Sequence, residues 1–192
     1  MTRRTFGTVI ALAAVALVVS VVLAALDTAA RNNVLPLQDV AIIREQAAAK
    51  HLDPALIAAV IYAESKFEPR ESSAGAEGLM QILPATAYYL AHLSGGSRFT
   101  ASDLARPEIN VAYGSYYLRY LLDHYEGDEM LAVAAYNGGL ANVDRWVARA
   151  QEGGGRLTVS EIPFPETREY VSRVLTAQQE YRETYPRELG LQ

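Results

Sequence analysis

The sequence contains no cysteine, which excludes a disulfide framework, thiolate metal sites and a lipid-modified N-terminal cysteine. Histidine is scarce: His51, His92 and His124 stand apart, and none belongs to the His-Glu-x-x-His pattern of a zinc enzyme. Basic charge is not in excess, with 17 Lys plus Arg against 22 Asp plus Glu and a net charge of −5. A nucleic-acid partner normally leaves a basic footprint, so none is expected. No internal repeat and no succession of alternating strand-like segments runs through the chain. What is present is apolar: 51% of the 192 residues are hydrophobic and only 20% are charged, too apolar for a disordered acidic chain. The length allows about one domain plus an appendage.

The appendage is N-terminal. Residues 5–26 are 22 consecutive positions without a formal charge, almost all Val, Leu, Ile, Ala and Phe. As a helix they would span roughly 33 Å, enough to cross the hydrocarbon core of a bilayer. Arg3 and Arg4 precede the run, which keeps the start cytoplasmic and sends everything after Asp27 outside. Small residues at Ala24, Ala25, Ala29 and Ala30 would also suit a cleaved signal peptide, although the apolar run is longer than a usual signal core. The domain plan is therefore a membrane anchor or signal peptide over 1–26, a tether over 27–38, one folded domain over 39–186 and a short tail over 187–192.

That domain reads as mainly helical. Residues 39–50 carry Val40, Ile43 and Ala47 on one stripe, and Asp53-Pro54 is a cap and first-turn signature for a helix to about Lys66. Pro84 opens a helix to about Leu93. Apolar residues recur at helical spacing over 110–124, 128–136 and 140–150, and a last helix follows Pro163 and Pro165 to about Tyr185. A Ser- and Gly-rich loop covers 68–78, and the glycines at 153–155 leave room for a small hairpin before Ile162.

The chemistry begins at Glu64. It stands seven, four and three positions after Ile57, Val60 and Ile61, on the same helical stripe. Partial burial and the negative end of the helix both disfavour a charged carboxylate and raise its pKa, as a general acid requires. On helix geometry alone, a Glu64 at the edge of the stripe and reaching solvent fits at least as well.

The residues after Glu64-Ser65 add to this. Ser72-Ser73-Ala74-Gly75-Ala76-Glu77-Gly78-Leu79-Met80-Gln81 and Pro84-Ala85-Thr86-Ala87 follow at short range. Further on come Asn110, Gly114 and Tyr117-Leu118, then Ala134-Ala135-Tyr136-Asn137-Gly138-Gly139, then Ile162-Pro163-Phe164 with Glu166-Thr167 and Tyr170-Val171. In this order, over about residues 40–185, the chain resembles the soluble lytic transglycosylase domain family, related in fold to goose-type lysozyme. It departs from the pattern in two places. The interval from Glu64 to Gly75 is one residue short, and Tyr-Asn-Gly-Gly stands where Tyr-Asn-Ala-Gly is commoner.

The resemblance implies a lysozyme-like helical domain that cuts peptidoglycan between N-acetylmuramic acid and N-acetylglucosamine, with no cofactor and no metal. Glu64 would be the sole catalytic acid and base, protonating the glycosidic oxygen and later accepting the proton of the muramyl C6 hydroxyl. The product would be a 1,6-anhydromuramyl end, the substrate's N-acetyl group replacing the usual second carboxylate. Ser72 would stand near Glu64 and the N-acetyl group, and Met80 and Gln81 would contact the glycan. Tyr136 and Asn137 would line the cleft opposite, and Tyr170 would bring its hydroxyl to the carboxylate. Tyr136 and Tyr170 could equally pack in the core with satisfied hydroxyls. Glu166 fits a structural buried acid or a helix N-terminal charge better than a catalytic group. Some of Tyr88, Tyr89, Tyr113, Tyr116 and Tyr117 could build sugar subsites, although helix packing suits most of them. Two rival functions remain: a lysozyme-type hydrolase taking its second acid from Glu68, Glu71 or Glu77, and a non-catalytic glycan-binding scaffold.

Overall fold

The computed structural model describes residues 35–95 and 98–191, together with Ser20. Ser20 apart, the apolar run 5–26 lies outside these residues, as does the expected tether up to residue 34. Among the described residues no helix is long and apolar enough to cross a membrane.

Proline sets most of the helix starts. The helices are α1 (Val40–Lys50), α2 (Pro54–Ser65), α3 (Pro84–Ser94), α4 (Pro107–His124), α5 (Glu129–Gly138), α6 (Leu140–Glu152), α7 (Pro165–Thr184) and the single turn α8 (Pro186–Leu189). Five of these have Pro at a first-turn position, where its fixed φ suits the helix and its missing N–H is no loss. α4 starts three residues before Asn110, because Pro107 opens a turn that the apolar periodicity does not mark.

α2 is the central element. Its residues from Ala55 to Ile61 are all fully buried, so the expected single stripe is instead a helix enclosed on every side. The sequence Ala-Leu-Ile-Ala-Ala-Val-Ile has no polar position to turn outward, and a helix apolar all round belongs in a core. It packs chiefly on α7 and α1, while α5 packs on α4, α6 and α7. The α2 cap is also a tertiary joint. Asp53 Oδ1 accepts from the Ala55 N–H at 2.9 Å, and Asp53 Oδ2 accepts from Gln178 Nε2 at 2.9 Å and Arg182 Nε at 2.8 Å on α7.

Both ends of the domain extend beyond the expected bounds. The packed body begins at Leu35. Tyr181 and Tyr185 of α7 donate to the carbonyls of Pro36 and Leu35 at 2.6 and 2.8 Å, so residues 35–38 are fastened to the core. The expected tail contains Leu189, which is 2% exposed and closes the same end of the core. The segment 153–162 forms a 3₁₀ turn, Val159–Glu161, and no hairpin. Backbone donors here are met within the turn: Glu161 Oε2 accepts from the Thr158 N–H at 2.9 Å, the Thr158 carbonyl from the Glu161 N–H at 3.0 Å and the Val159 carbonyl from the Ile162 N–H at 3.3 Å.

The loop after α2 carries two short antiparallel strands, β1 (Arg70–Glu71) and β2 (Glu77–Gly78), paired Arg70 to Gly78 and Glu71 to Glu77. Asn110, fully buried on the first turn of α4, holds this loop in place. Its Oδ1 accepts from the Met80 N–H at 2.8 Å, and its Nδ2 donates to the carbonyls of Glu77 at 2.7 Å and Leu104 at 3.0 Å. Gly78 is required beside it. Its φ is +77°, and a Cβ there would collide with the Asn110 amide and lie 2.8 Å from the Leu104 carbonyl oxygen. Gly114, one turn along α4, leaves room for the Met80 side chain, whose Cβ would otherwise be 2.8 Å away from its own.

Candidate active site

Glu64 occupies the last turn of α2, where the fully buried run ends, and is half-buried. One carboxylate oxygen, Oε1, accepts a hydrogen bond from the Tyr170 hydroxyl at 2.8 Å across the α2–α7 contact. Burial pushes the Glu64 pKa up from 4.5 to about 7, and the Glu166 charge pushes the same way. The Tyr170 hydrogen bond and the guanidinium charges of Arg173 and Arg70 oppose the rise without cancelling it. Tyr170 is 2% exposed, and burial with the adjacent Glu64 charge holds its hydroxyl well above the ordinary phenol value. It therefore donates to Glu64 as a neutral phenol.

The other expected site residues fall into two groups. Tyr136, at the end of α5, is half-buried and donates to the Met80 carbonyl at 3.0 Å. Burial, with the Glu64 charge next, pushes its hydroxyl up as well, which places it in the field of that carboxylate. The Met80 side chain is fully buried and lies against Gly114, so Met80 faces the site through its carbonyl and not through its thioether. Asn137 is exposed, and its Oδ1 accepts from the Thr167 hydroxyl at 2.8 Å.

Ser72 and Gln81 sit on the loop and shape it. The Ser72 N–H donates to the Ala76 carbonyl at 2.8 Å, and Ser72 Oγ accepts from the Ala76 N–H at 3.0 Å, closing the turn between the strands. Gln81 adopts a left-handed φ of 48°. Its Nε2 donates to the carbonyls of Arg70 at 2.7 Å and Gly78 at 2.8 Å. Arg70 Nη2 in turn donates to the backbone carbonyl of Glu64 at 3.1 Å, so the loop is tied to the helix end that bears the acid.

Two depressions are bordered by neighbours of Tyr136, and neither is lined by Tyr136, Glu64 or Tyr170 themselves. One, of about 350 Å³, is bordered by Asn137, Phe164, Glu166 and Thr167. The other, of about 330 Å³, is bordered by Thr86, Tyr89, Tyr117, Tyr120 and Leu140. The Tyr117 ring lies 5.3 Å from that of Tyr136 and 6.4 Å from that of Tyr120, whose hydroxyl is 3.2 Å from the Tyr89 hydroxyl. Tyr89 and Tyr117 thus line an open surface, whereas Tyr88 and Tyr113 pack on Phe99. Glu166 is exposed in the first turn of α7, which leaves the helix N-terminal charge and removes the buried structural acid. A larger cavity of about 530 Å³, at His124, Tyr125, Asp128 and Arg156, contains none of the expected site residues.

Sequence reasoning missed Arg70, Arg173 and Tyr120. Arg173 was within reach of it, since it stands three residues after Tyr170 and so shares its helix face. Arg70 carried no local signal. Among the described residues no group of three or more His, Asp or Glu gathers as a metal site would require. A half-buried carboxyl poised near neutrality and hydrogen-bonded by a neutral phenol can give up a proton and take one back.

Fold and site together define a mainly helical, lysozyme-like domain with one protonatable carboxyl at the end of its central helix. Residues 41–159 match the family described as the transglycosylase SLT domain, and the chain belongs to that family. It is 34% identical over 139 residues to the soluble lytic murein transglycosylase of Salmonella typhimurium, covering 69% of this chain and 21% of that protein. It is 30% identical over 154 residues to the membrane-bound lytic murein transglycosylase C of Edwardsiella ictaluri, covering 68% and 43%. The solved 70 kDa soluble lytic transglycosylase of Escherichia coli superposes with a TM-score of 0.72 at 30% identity, over 78% of this chain and 25% of that one. The chain thus spans about a fifth of the length of the first of these relatives.

Proposed function

We propose that the chain is a peptidoglycan lytic transglycosylase that cleaves the β-1,4 bond between N-acetylmuramic acid and N-acetylglucosamine. The observation that carries this reading is the 2.8 Å hydrogen bond from Tyr170 to a Glu64 whose pKa burial has raised to about 7. Glu64 protonates the departing glycosidic oxygen while the substrate's N-acetyl group supports the positive anomeric carbon. The muramyl C6 hydroxyl then closes on that carbon and returns its proton to Glu64. The bond broken is C1 to the bridging oxygen, the bond formed is C1 to O6, and no water is consumed.

The remaining roles follow from the hydrogen bonds already made. Ser72 Oγ accepts from Ala76 and keeps its own proton to donate to a sugar. Both amide protons of Gln81 are engaged, which leaves its carbonyl oxygen as an acceptor. Asn137 presents its amide to solvent, Tyr136 lines the cleft, and Met80 acts by anchoring Tyr136. The naming of the Salmonella and Escherichia relatives as soluble lytic murein transglycosylases supports the reading, as does an inactive glutamate-to-glutamine mutant of the Pseudomonas aeruginosa relative, 30% identical to this chain.

The test is the mass of the ends produced from purified sacculi. Anhydromuramyl ends, one water lighter than reducing ends, are expected; reducing ends would establish the hydrolase reading instead, and no cleavage the scaffold. The run 5–26 anchors the chain, with the domain extracytoplasmic. Full-length protein is then expected in the membrane fraction after a high-salt wash, and a released fragment starting after Ala24 or Ala30 would overturn the anchor.

A further inference from the structure

α3 carries an uncovered apolar face. Residues 78–95 hold no Asp, Glu, Lys or Arg. Ala87, Leu90 and Ala91 turn inward and are buried, while Ala85, Tyr89 and Leu93 stand in one outward row with Tyr88 and His92 in the next. Six large hydrophobic side chains are exposed among the described residues, and four of them, Leu83, Tyr88, Tyr89 and Leu93, belong to this helix and its cap. Tyr88 is 51% exposed and Leu93 46%, so half of each ring or branch meets solvent on the outside of the helix. Inward, α3 packs on α4 and on the 3₁₀ turn Ala101–Ala105. Arg98 and Arg106 flank that turn in the chain. Both are exposed, and neither makes an ion pair among the described residues.

We propose that this face rests on the outer surface of the bilayer, with Leu83, Tyr88 and Leu93 seated at the headgroup boundary. The proposal rests on the reading of residues 5–26 as an anchor. Eight residues, 27–34, separate that run from Leu35, a reach of at most about 28 Å. A lipid surface is thus always one short link away from the domain, which no partner in solution is. The chemistry of the face also selects lipid. Leu83 and Leu93 offer no hydrogen bond to a hydroxyl-rich glycan. The outside of a single helix has no pocket to seat a protein partner's anchor residue, whereas a fluid bilayer needs no matching shape. Tyrosine suits the headgroup level, where its ring is in apolar surroundings and its hydroxyl stays wet. Arg98 and Arg106 supply guanidinium groups for lipid phosphates, and α3 itself presents no carboxylate to repel them, although the whole chain has a net charge of −5. Tyr89 also borders the depression shared with Tyr117 and Tyr120, so that depression opens next to the bilayer and takes glycan lying close to the membrane.

The absence of cysteine allows a single thiol-reactive fluorophore to be placed at one chosen position. The full chain is reconstituted into vesicles containing a lipid with a nitroxide on its headgroup, labelled through Leu93→Cys or, as the control, Glu152→Cys. Both positions are exposed, so neither substitution disturbs the core. Glu152 ends α6, about 18 Å along its axis from Leu140, which borders the same depression as Tyr89. Quenching should rise with nitroxide lipid about threefold more steeply for the Leu93 label than for the Glu152 label. Adding Leu83→Ser and Tyr88→Ser to the Leu93-labelled chain should lower that slope about twofold, because less apolar area remains to hold the face down. Equal slopes in vesicle-bound chain overturn the contact and leave the anchor intact. A Leu93 label that shifts to the blue without lipid quenching, the more so at higher protein-to-lipid ratio, identifies a second copy of the chain as the occupant and also overturns the contact. Chain that washes off the vesicles in high salt overturns the anchor and the contact together.

Discussion

Glu64→Gln is expected to cut release of anhydromuropeptides by about 10³-fold or more while making the protein more stable above neutral pH. The loss follows because an amide can neither donate the proton that frees the glycosidic oxygen nor take one back from O6. The gain follows from linkage. The unfolded carboxyl titrates near its ordinary 4.5, and the folded one near 7. Below about pH 4.5 both states are protonated and the substitution is neutral. Between those values the folded state holds a proton that the unfolded state releases, so wild-type stability falls as the pH rises through about 7. Above that, the folded protein bears a desolvated charge. Each tenfold change in proton affinity is about 1.4 kcal/mol, and part of Glu64 remains in water, so a gain of about 2 kcal/mol is expected for the variant at pH 8.5. Gln keeps the shape and can still accept from Tyr170. Denaturant unfolding at pH 4.5 and 8.5, beside muropeptide analysis, checks both halves. Equal activity would remove Glu64 from the mechanism, and an unchanged stability difference across that range would show a carboxyl already ionised in the folded state. Wild-type turnover should correspondingly decline as the pH rises past about 7.

Asn110→Ala should be the most damaging substitution away from Glu64, destabilising the domain by about 4 kcal/mol. Alanine leaves the buried Met80 N–H and Leu104 carbonyl without their partner and takes one of two donors from the Glu77 carbonyl, which keeps the Ile82 N–H at 3.0 Å. For a chain of this size that corresponds to a fall in Tm of about 10 °C. Activity should suffer beyond the stability loss, because the Met80 carbonyl that anchors the Tyr136 hydroxyl at 3.0 Å belongs to the freed loop. Gly78→Ala should act on the same contact, since its Cβ would strike the Asn110 amide at a backbone φ of +77°. Thermal unfolding below the wild-type midpoint by only a degree or two would show that the loop is held by other means.

Glu64 itself was readable because its surroundings in the chain are so apolar, and Tyr170 because a motif placed it. The surroundings of that pair were not. Met80 has the chemistry of a residue that could touch a sugar, yet the absence of a side chain at Gly114 draws it into the core. Asp53 reads as a cap, and only the approach of α7 makes it a joint to Gln178 and Arg182. The glycines at 153–155 left room for a hairpin, whereas the capping box of Thr158 and Glu161 settles the segment as a turn. Here a local hydrogen-bond pattern outweighed a composition signal.

The sequence by itself determined the order and approximate bounds of the helices, because proline at first turns and apolar spacing act within a few residues of chain. It also determined which carboxyl stands at the end of an apolar helix. Only the tertiary structure decided how far that carboxyl's proton affinity rises and what opposes it, since Tyr170, Arg173, Arg70 and Glu166 reach Glu64 through space. Desolvation and Coulomb interactions depend on distance and burial, and neither is set until α7 has packed on α2.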